Sequence, residues 1–177
     1  MKVRFRIILL VVVAILATNV SCKSTKNVPE TTQQPTSVLP CSETCISDSD
    51  FFRACGNAMS SNINLSREKA IAEAKSELAK TIIERVLSAS KQYATETGHS
   101  DKATFIKDME LVANKAIDQT LNEILPICEN YSETNSKYTT YIAVEIGKGT
   151  IINKICSIAN SQTSNFDAKK FKNIFNE

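Results

Sequence analysis

The stretch Phe51-Phe52-Arg53-Ala54-Cys55-Gly56, followed from Ser66 by the longest helical pattern in the chain, decides the fold. The first six residues form an apolar run with a glycine inside it, which reads as a strand with a bulge or with another backbone passing close by. Beyond it, Ala70, Ala74, Leu78, Ile82 and Val86 recur every four residues, with Ile71, Ala79, Ile83 and Leu87 widening the stripe. That period belongs to a helix and not to a strand. Charged residues from Arg67 to Lys80 cover the opposite face, and Glu77 is set to pair with Lys80. The stripe is alanine in its first half and bulky in its second, so the helix can lie close to a sheet near its start. Gly56, Ala70 and Ala74 are therefore expected to form the closest strand-helix contact. Asn57 to Asn64 reads as the connecting turn, with Asn64 or Ser66 as the helix cap.

Downstream, Glu96 to Ser100 with Gly98 breaks the helix, and Ser100 or Asp101 caps a second one. Its stripe is Phe105, Met109, Val112, Ala116 and Leu121, and Pro126 stops it at or before Leu125. The period then changes to two. Ile127 to Tyr131 and Lys137 to Ile146 read as strands around the turn-rich Ser132 to Ser136. Tyr138, Thr140, Ile142, Val144 and Ile146 share the face under the helices, while Tyr141 and Glu145 look outward. Gly147 and Gly149 end that strand. A short apolar helix over Ile151 to Ala159 and a basic amphipathic segment, Phe166 to Phe175, complete the chain. That last segment has three readings: it packs on its own domain, lies on anionic lipid, or meets a partner.

The fold class expected from these elements is α+β: a short three-stranded antiparallel sheet with a long helix and a second helix packed on one face, plus C-terminal helices. The domain organisation reads as a leader over 1–21, a flexible tether over 22–40, a single domain over 41–160 and a C-terminal amphipathic segment over 161–177. A length of 177 residues suits one domain after such a leader and tether.

The start of the chain carries an address. Lys2, Arg4 and Arg6 precede an uninterrupted apolar core from Ile7 to Ala17, which is too short to span a bilayer and right for a secretory leader. Thr18-Asn19-Val20-Ser21-Cys22 follows and is similar to a bacterial lipoprotein signal, with the small Ser21 before the cysteine that takes the lipid. Asn19 stands where such signals usually carry an aliphatic residue. The thiol of Cys22 is the expected attachment point because sulfur is a good nucleophile. Several acyl chains, palmitate among them, would hold the protein stably at the outer membrane, where a single chain would not. Lys23 to Pro40, with Pro29, Pro35 and Pro40 among Ser, Thr and Gln, has no apolar period and reads as a solvated tether. The residues after Cys22 are basic, which favours a domain facing the periplasm.

Charge and chemistry exclude several classes. Three of the 21 basic residues lie in the leader, so 18 face 19 acidic residues in the remainder, a net charge of −1 that argues against nucleic acid as a partner. Cys41, Cys45, Cys55, Cys128 and Cys156 remain once Cys22 is set aside, an odd number in an oxidising compartment. The segment leading into the domain must pass beside the sheet, which favours a disulfide from Cys41 or Cys45 to Cys128. Cys55 and Cys156 read equally well as buried apolar thiols. The Cys41-x3-Cys45 spacing is not that of a redox or zinc pair, and no metal or cofactor is expected. His99 is the lone histidine and reads as solvated, and Glu145 reads as a solvated strand charge.

Together, the leader, the Phe51-to-Gly56 strand, the Ala70-to-Ile82 helix, the late Tyr138-to-Ile146 strand and the Pro40-Cys41-Ser42 step resemble the LPP-twenty lipoprotein family over roughly residues 40 to 147. Glu43 departs from the glycine common after that step in the family. The resemblance implies a short antiparallel sheet with two helices on one face, similar to a domain of a flagellar assembly protein, and it brings no catalytic residues. The expected function is a lipid-anchored envelope module that binds or scaffolds a protein partner, or forms a homo-oligomer through a sheet edge, without catalysis. The competing readings are an envelope enzyme using Glu145 or a free cysteine, and a surface-exposed adhesin-like lipoprotein.

Overall fold

The computed structural model describes residues 39–162 and 165–177. The leader over 1–21, Cys22 and the tether up to residue 38 lie outside the described residues. A 3-10 turn at Ser42–Cys45 precedes β1 (Phe51–Ser60), α1 (Ile63–Glu96), α2 (Lys102–Leu121), β2 (Pro126–Thr134), β3 (Lys137–Gly147), α3 (Lys148–Gln162) and α4 (Ala168–Asn176). The fold is the expected α+β, with a three-stranded antiparallel sheet. Its strand order is β1-β3-β2, so the last strand is central and both earlier ones are edges.

The strand-helix junction has the close contact that its small residues suggest. A Cβ placed on Gly56 would stand 2.4 Å from the Ala74 amide nitrogen and 2.5 Å from the Ala70 carbonyl oxygen. Only glycine allows that approach. Beneath α1, Phe52, Ala54, Gly56, Thr140, Ile142, Val144 and Ile146 form the inner face of the sheet. The four-residue stripe from Ala70 to Val86 is fully buried against it. A hydroxyl pair, Ser66 and Thr140 at 2.6 Å, closes the start of this seam.

Several boundaries differ from the sequence reading, each for a local reason. Residues 57–60 continue β1, pairing as far as Ser60 with Tyr138, and the turn shrinks to Ser61-Asn62. The cap of α1 is Asn62 and neither Asn64 nor Ser66: its Oδ1 accepts from the Leu65 amide at 3.1 Å. Asp101 caps α2 in the same way. The β2–β3 connection is only Asn135-Ser136, both left-handed (φ 52° and 58°), the conformation of a tight hairpin turn whose twist matches the strands. Residues 132–134 are thereby freed to extend β2. The last β3 residues lead directly into α3, which is longer than the stretch Ile151 to Ala159.

Among the other helices, α2 packs on α1, α3 on α2, and α4 on α1 and α3. The C-terminal segment thus joins the core. Phe171, Ile174 and Phe175 are buried, and the Arg85 guanidinium donates to the carbonyls of Phe175 (2.7 Å) and Ile174 (2.9 Å) at the end of the helix. Asp167 caps α4 through the amides of Lys169 and Lys170. Tyr93 holds its approach, accepting at its hydroxyl from the Asp167 amide at 2.9 Å.

Candidate functional site

The sheet has a second face, turned away from the helices, and the distinctive side chains of the chain collect there. Alternation along β1 puts Phe52, Ala54 and Gly56 under α1 and sends Arg53 and Cys55 outward. On β3 the outward residues are Tyr141, Ala143 and Glu145. The register then sets Cys55 of β1 and Cys128 of β2 on either side of Ala143, giving a row Cys55–Ala143–Cys128 across the middle of the sheet.

Both ends of the 3-10 turn are fastened to that row. Cys41 is bonded to Cys128 with their Cα atoms 5.7 Å apart, and Cys45 to Cys55 at 5.4 Å. The turn therefore crosses the outer face from one edge strand to the other. Ala143 is 0% exposed although it points away from the core helices, and its single methyl leaves room for the crossing segment. Cys41 takes a left-handed conformation (φ 64°) where the chain bends into the turn, and the Thr44 hydroxyl donates to its carbonyl at 2.6 Å. Beside the bridge, Leu39, Pro40, Cys41, Glu43 and Cys128 are among the residues lining a shallow hollow of about 320 Å³.

An ionic cluster holds the rest of the lead-in segment. The Arg53 guanidinium donates through Nε to Glu145 Oε2 at 2.8 Å and through Nη1 to Asp48 Oδ2 at 2.6 Å and to the Ile46 carbonyl at 3.1 Å. Asp48 Oδ1 accepts from the amides of Asp50 and Phe51, each at 2.8 Å. Those two amides, followed by Arg53, hold the Asp48 carboxyl down at about 2. Glu145 is therefore an ion-pair partner and not a solvated strand charge.

The remaining candidates fall elsewhere. Cys156 is the free thiol among the described residues, buried on α3, and burial pushes it up to about 11. His99 is half-buried, with its ring 4.4 Å from that of Phe105 and its Nδ1 2.8 Å from the Thr97 hydroxyl at the exposed edge of the loop. Neither meets Glu145, Cys41, Cys45 or Cys128, which belong to the sheet. No group of three or more His, Cys, Asp or Glu side chains among the described residues is placed to hold a metal ion. Among the described residues, no helix is long and apolar enough to cross a membrane. Cys22 lies outside the described residues.

The Cys45–Cys55 bridge and the Arg53 cluster were missed from sequence. A signal for the first was present: strand alternation with Gly56 inward sends Cys55 to the same face as Cys128. For the second there was none, because Asp48, Arg53 and Glu145 are joined only by the pairing of β1 with β3. Comparison with protein-family models, with curated proteins and with solved structures found no match to this chain.

Proposed function

We propose that the chain is a lipid-anchored envelope lipoprotein of the LPP-twenty kind, held at the outer membrane through acyl groups on Cys22, with its domain in the periplasm as a non-enzymatic binding or scaffolding module. The observation that carries this reading is the double fastening of the lead-in segment. Two disulfides suit an exported protein, since such bridges persist in oxidising compartments. They also sit where a tether from a membrane anchor would enter the domain, so a pull on the tether would be borne by covalent bonds to both edge strands.

The scaffold reading is favoured over an enzyme by the state of the two groups an enzyme would use. Glu145 is occupied by Arg53. The Cys156 thiol is buried and, with its pKa near 11, holds little thiolate at neutral pH. Metabolic labelling with a fatty acid tests the anchor: wild-type protein takes up label and Cys22→Ser does not. Label retained by Cys22→Ser would overturn the anchoring.

A further inference from the structure

The two edges of the sheet are finished differently. Along β1, the outward amides of Phe51, Arg53 and Asn57 and the outward carbonyls of Phe51 and Arg53 have partners, while those of Cys55 and Met59 have none among the described residues. The Phe51 amide donates to Asp48 and its carbonyl accepts from the Asp48 amide, Ser47 Oγ bridges the Arg53 amide (2.9 Å) and carbonyl (3.3 Å), and Glu73 accepts from the Asn57 amide at 3.1 Å. The lead-in thus closes the Phe51–Arg53 end of that edge against strand addition, and Glu73 of α1 interrupts it at Asn57.

On β2 the corresponding groups are those of Glu129, Tyr131 and Glu133. Because Arg53 points away from β3, its partner Glu145 points toward β2; the alternation then turns Cys128, Asn130 and Ser132 inward to β3 and the residues between them outward. No described residue hydrogen-bonds those outward amides and carbonyls. The strand is nine residues long and mostly exposed, and Leu125, Ile127 and Tyr131 beside or within it are exposed apolar side chains.

We propose that β2 pairs with β2 of a second copy of this chain, antiparallel about a two-fold axis at Asn130, to make a continuous six-stranded sheet. The described lead-in, residues 39–50, is not the occupant, because the Cys41–Cys128 bond holds it across the sheet face and Pro40 lacks an amide to donate. Charge selects the register. A two-fold at Asn130 sets Glu129 opposite Tyr131 of the other copy and Glu133 opposite Ile127, whereas a two-fold at Tyr131 would set Glu129 against Glu133. Glu129 is in addition neutralised by Arg67 at 2.6 Å. Such an interface is isologous, and it covers Tyr131 and Ile127 twice over. A single strand pair is at the small end of specific interfaces, so the dissociation constant is expected between about 1 μM and 1 mM.

The inference names the partner of the scaffolding reading and rests on that reading for its place in the cell; loss of the anchor would leave the sedimentation result standing. Sedimentation equilibrium of the full chain in detergent, from about 1 μM to about 1 mM, is expected to show a monomer-dimer equilibrium. Both variants lose the Tyr131 ring, so charge is read from their difference: Tyr131→Lys, set opposite Glu129 twice by the symmetry, should dimerise more tightly than Tyr131→Glu by roughly 2- to 30-fold. Mild oxidation should give a covalent dimer of Asn130→Cys, whose residue faces itself across the axis, and none of Thr134→Cys. A monomer at every concentration would overturn the proposal and leave β2 to an extended segment of another protein. Equal dimerisation of Tyr131→Lys and Tyr131→Glu, or a dimer cross-linked through Thr134→Cys and not Asn130→Cys, would overturn it as well.

Discussion

Gly56 shows how much one missing methyl decides. Its neighbours at 2.4 and 2.5 Å are backbone atoms of α1, which cannot turn aside as a flexible side chain would. Gly56→Ala should therefore push α1 off the sheet and destabilise the fold by about 1–3 kcal/mol or more, read as a lower denaturation midpoint with the slope unchanged. Asp48 decides a different property. Its folded-state pKa is depressed from 3.8 to about 2, so its contribution to stability is complete above the unfolded value and is lost as pH falls through the interval from about 4 to 2. Thermal melts across that range should show the loss in the wild type and a smaller one in Asp48→Asn, which has no carboxylate to protonate. Equal acid sensitivity in the two proteins would remove Asp48 from the account. Both residues were visible in sequence, but only Gly56 sat in a pattern that announced its role: small residues on a strand and on a helix stripe imply close approach, while Asp48 is one acid in a polar segment until Arg53 is seen beside it.

At the scale of elements, the 3-10 turn is too short to hold a place by itself and is held by its ends. The two bridges should not be equal. Cys41–Cys128 spans 87 residues and Cys45–Cys55 spans 10, and loop-closure entropy gives about 4–5 kcal/mol for the first against about 3 kcal/mol for the second. The double variant Cys41→Ser/Cys128→Ser should accordingly unfold at lower denaturant than Cys45→Ser/Cys55→Ser, measured by chemical denaturation of each. The reverse order would show that local strain or residual structure in the unfolded chain outweighs the entropy term. Strand lengths carry a similar lesson. The sequence places turns at residues 57–64 and 132–136 because polar residues cluster there, yet β1 and β2 run on through much of both. An edge strand accepts polar residues, since one side of it meets solvent, so composition alone misjudges where such a strand stops.

For the whole molecule, what matters is that β3 is central and last. The edges were both made earlier in the chain and wait for it, which is why Arg53 meets Glu145, and Cys55 and Cys128 come to flank Ala143. The same closure brings α4 back onto α1, where Arg85 satisfies the terminal carbonyls and Phe175 meets the Phe52 ring edge-on at 6.0 Å. The sequence by itself determined the helix and strand periods, the face each buries and the fit of Gly56 to Ala70 and Ala74, because these depend on neighbours a turn or two away and on side-chain size. Only the tertiary structure decided the strand order, the choice of Cys41 over Cys45 as the partner of Cys128, the Cys45–Cys55 bridge, the ion pair of Glu145 and the unequal finish of the two sheet edges. Those contacts join residues as far apart as 92 positions, and local sequence carries no term for a distance that the fold alone sets.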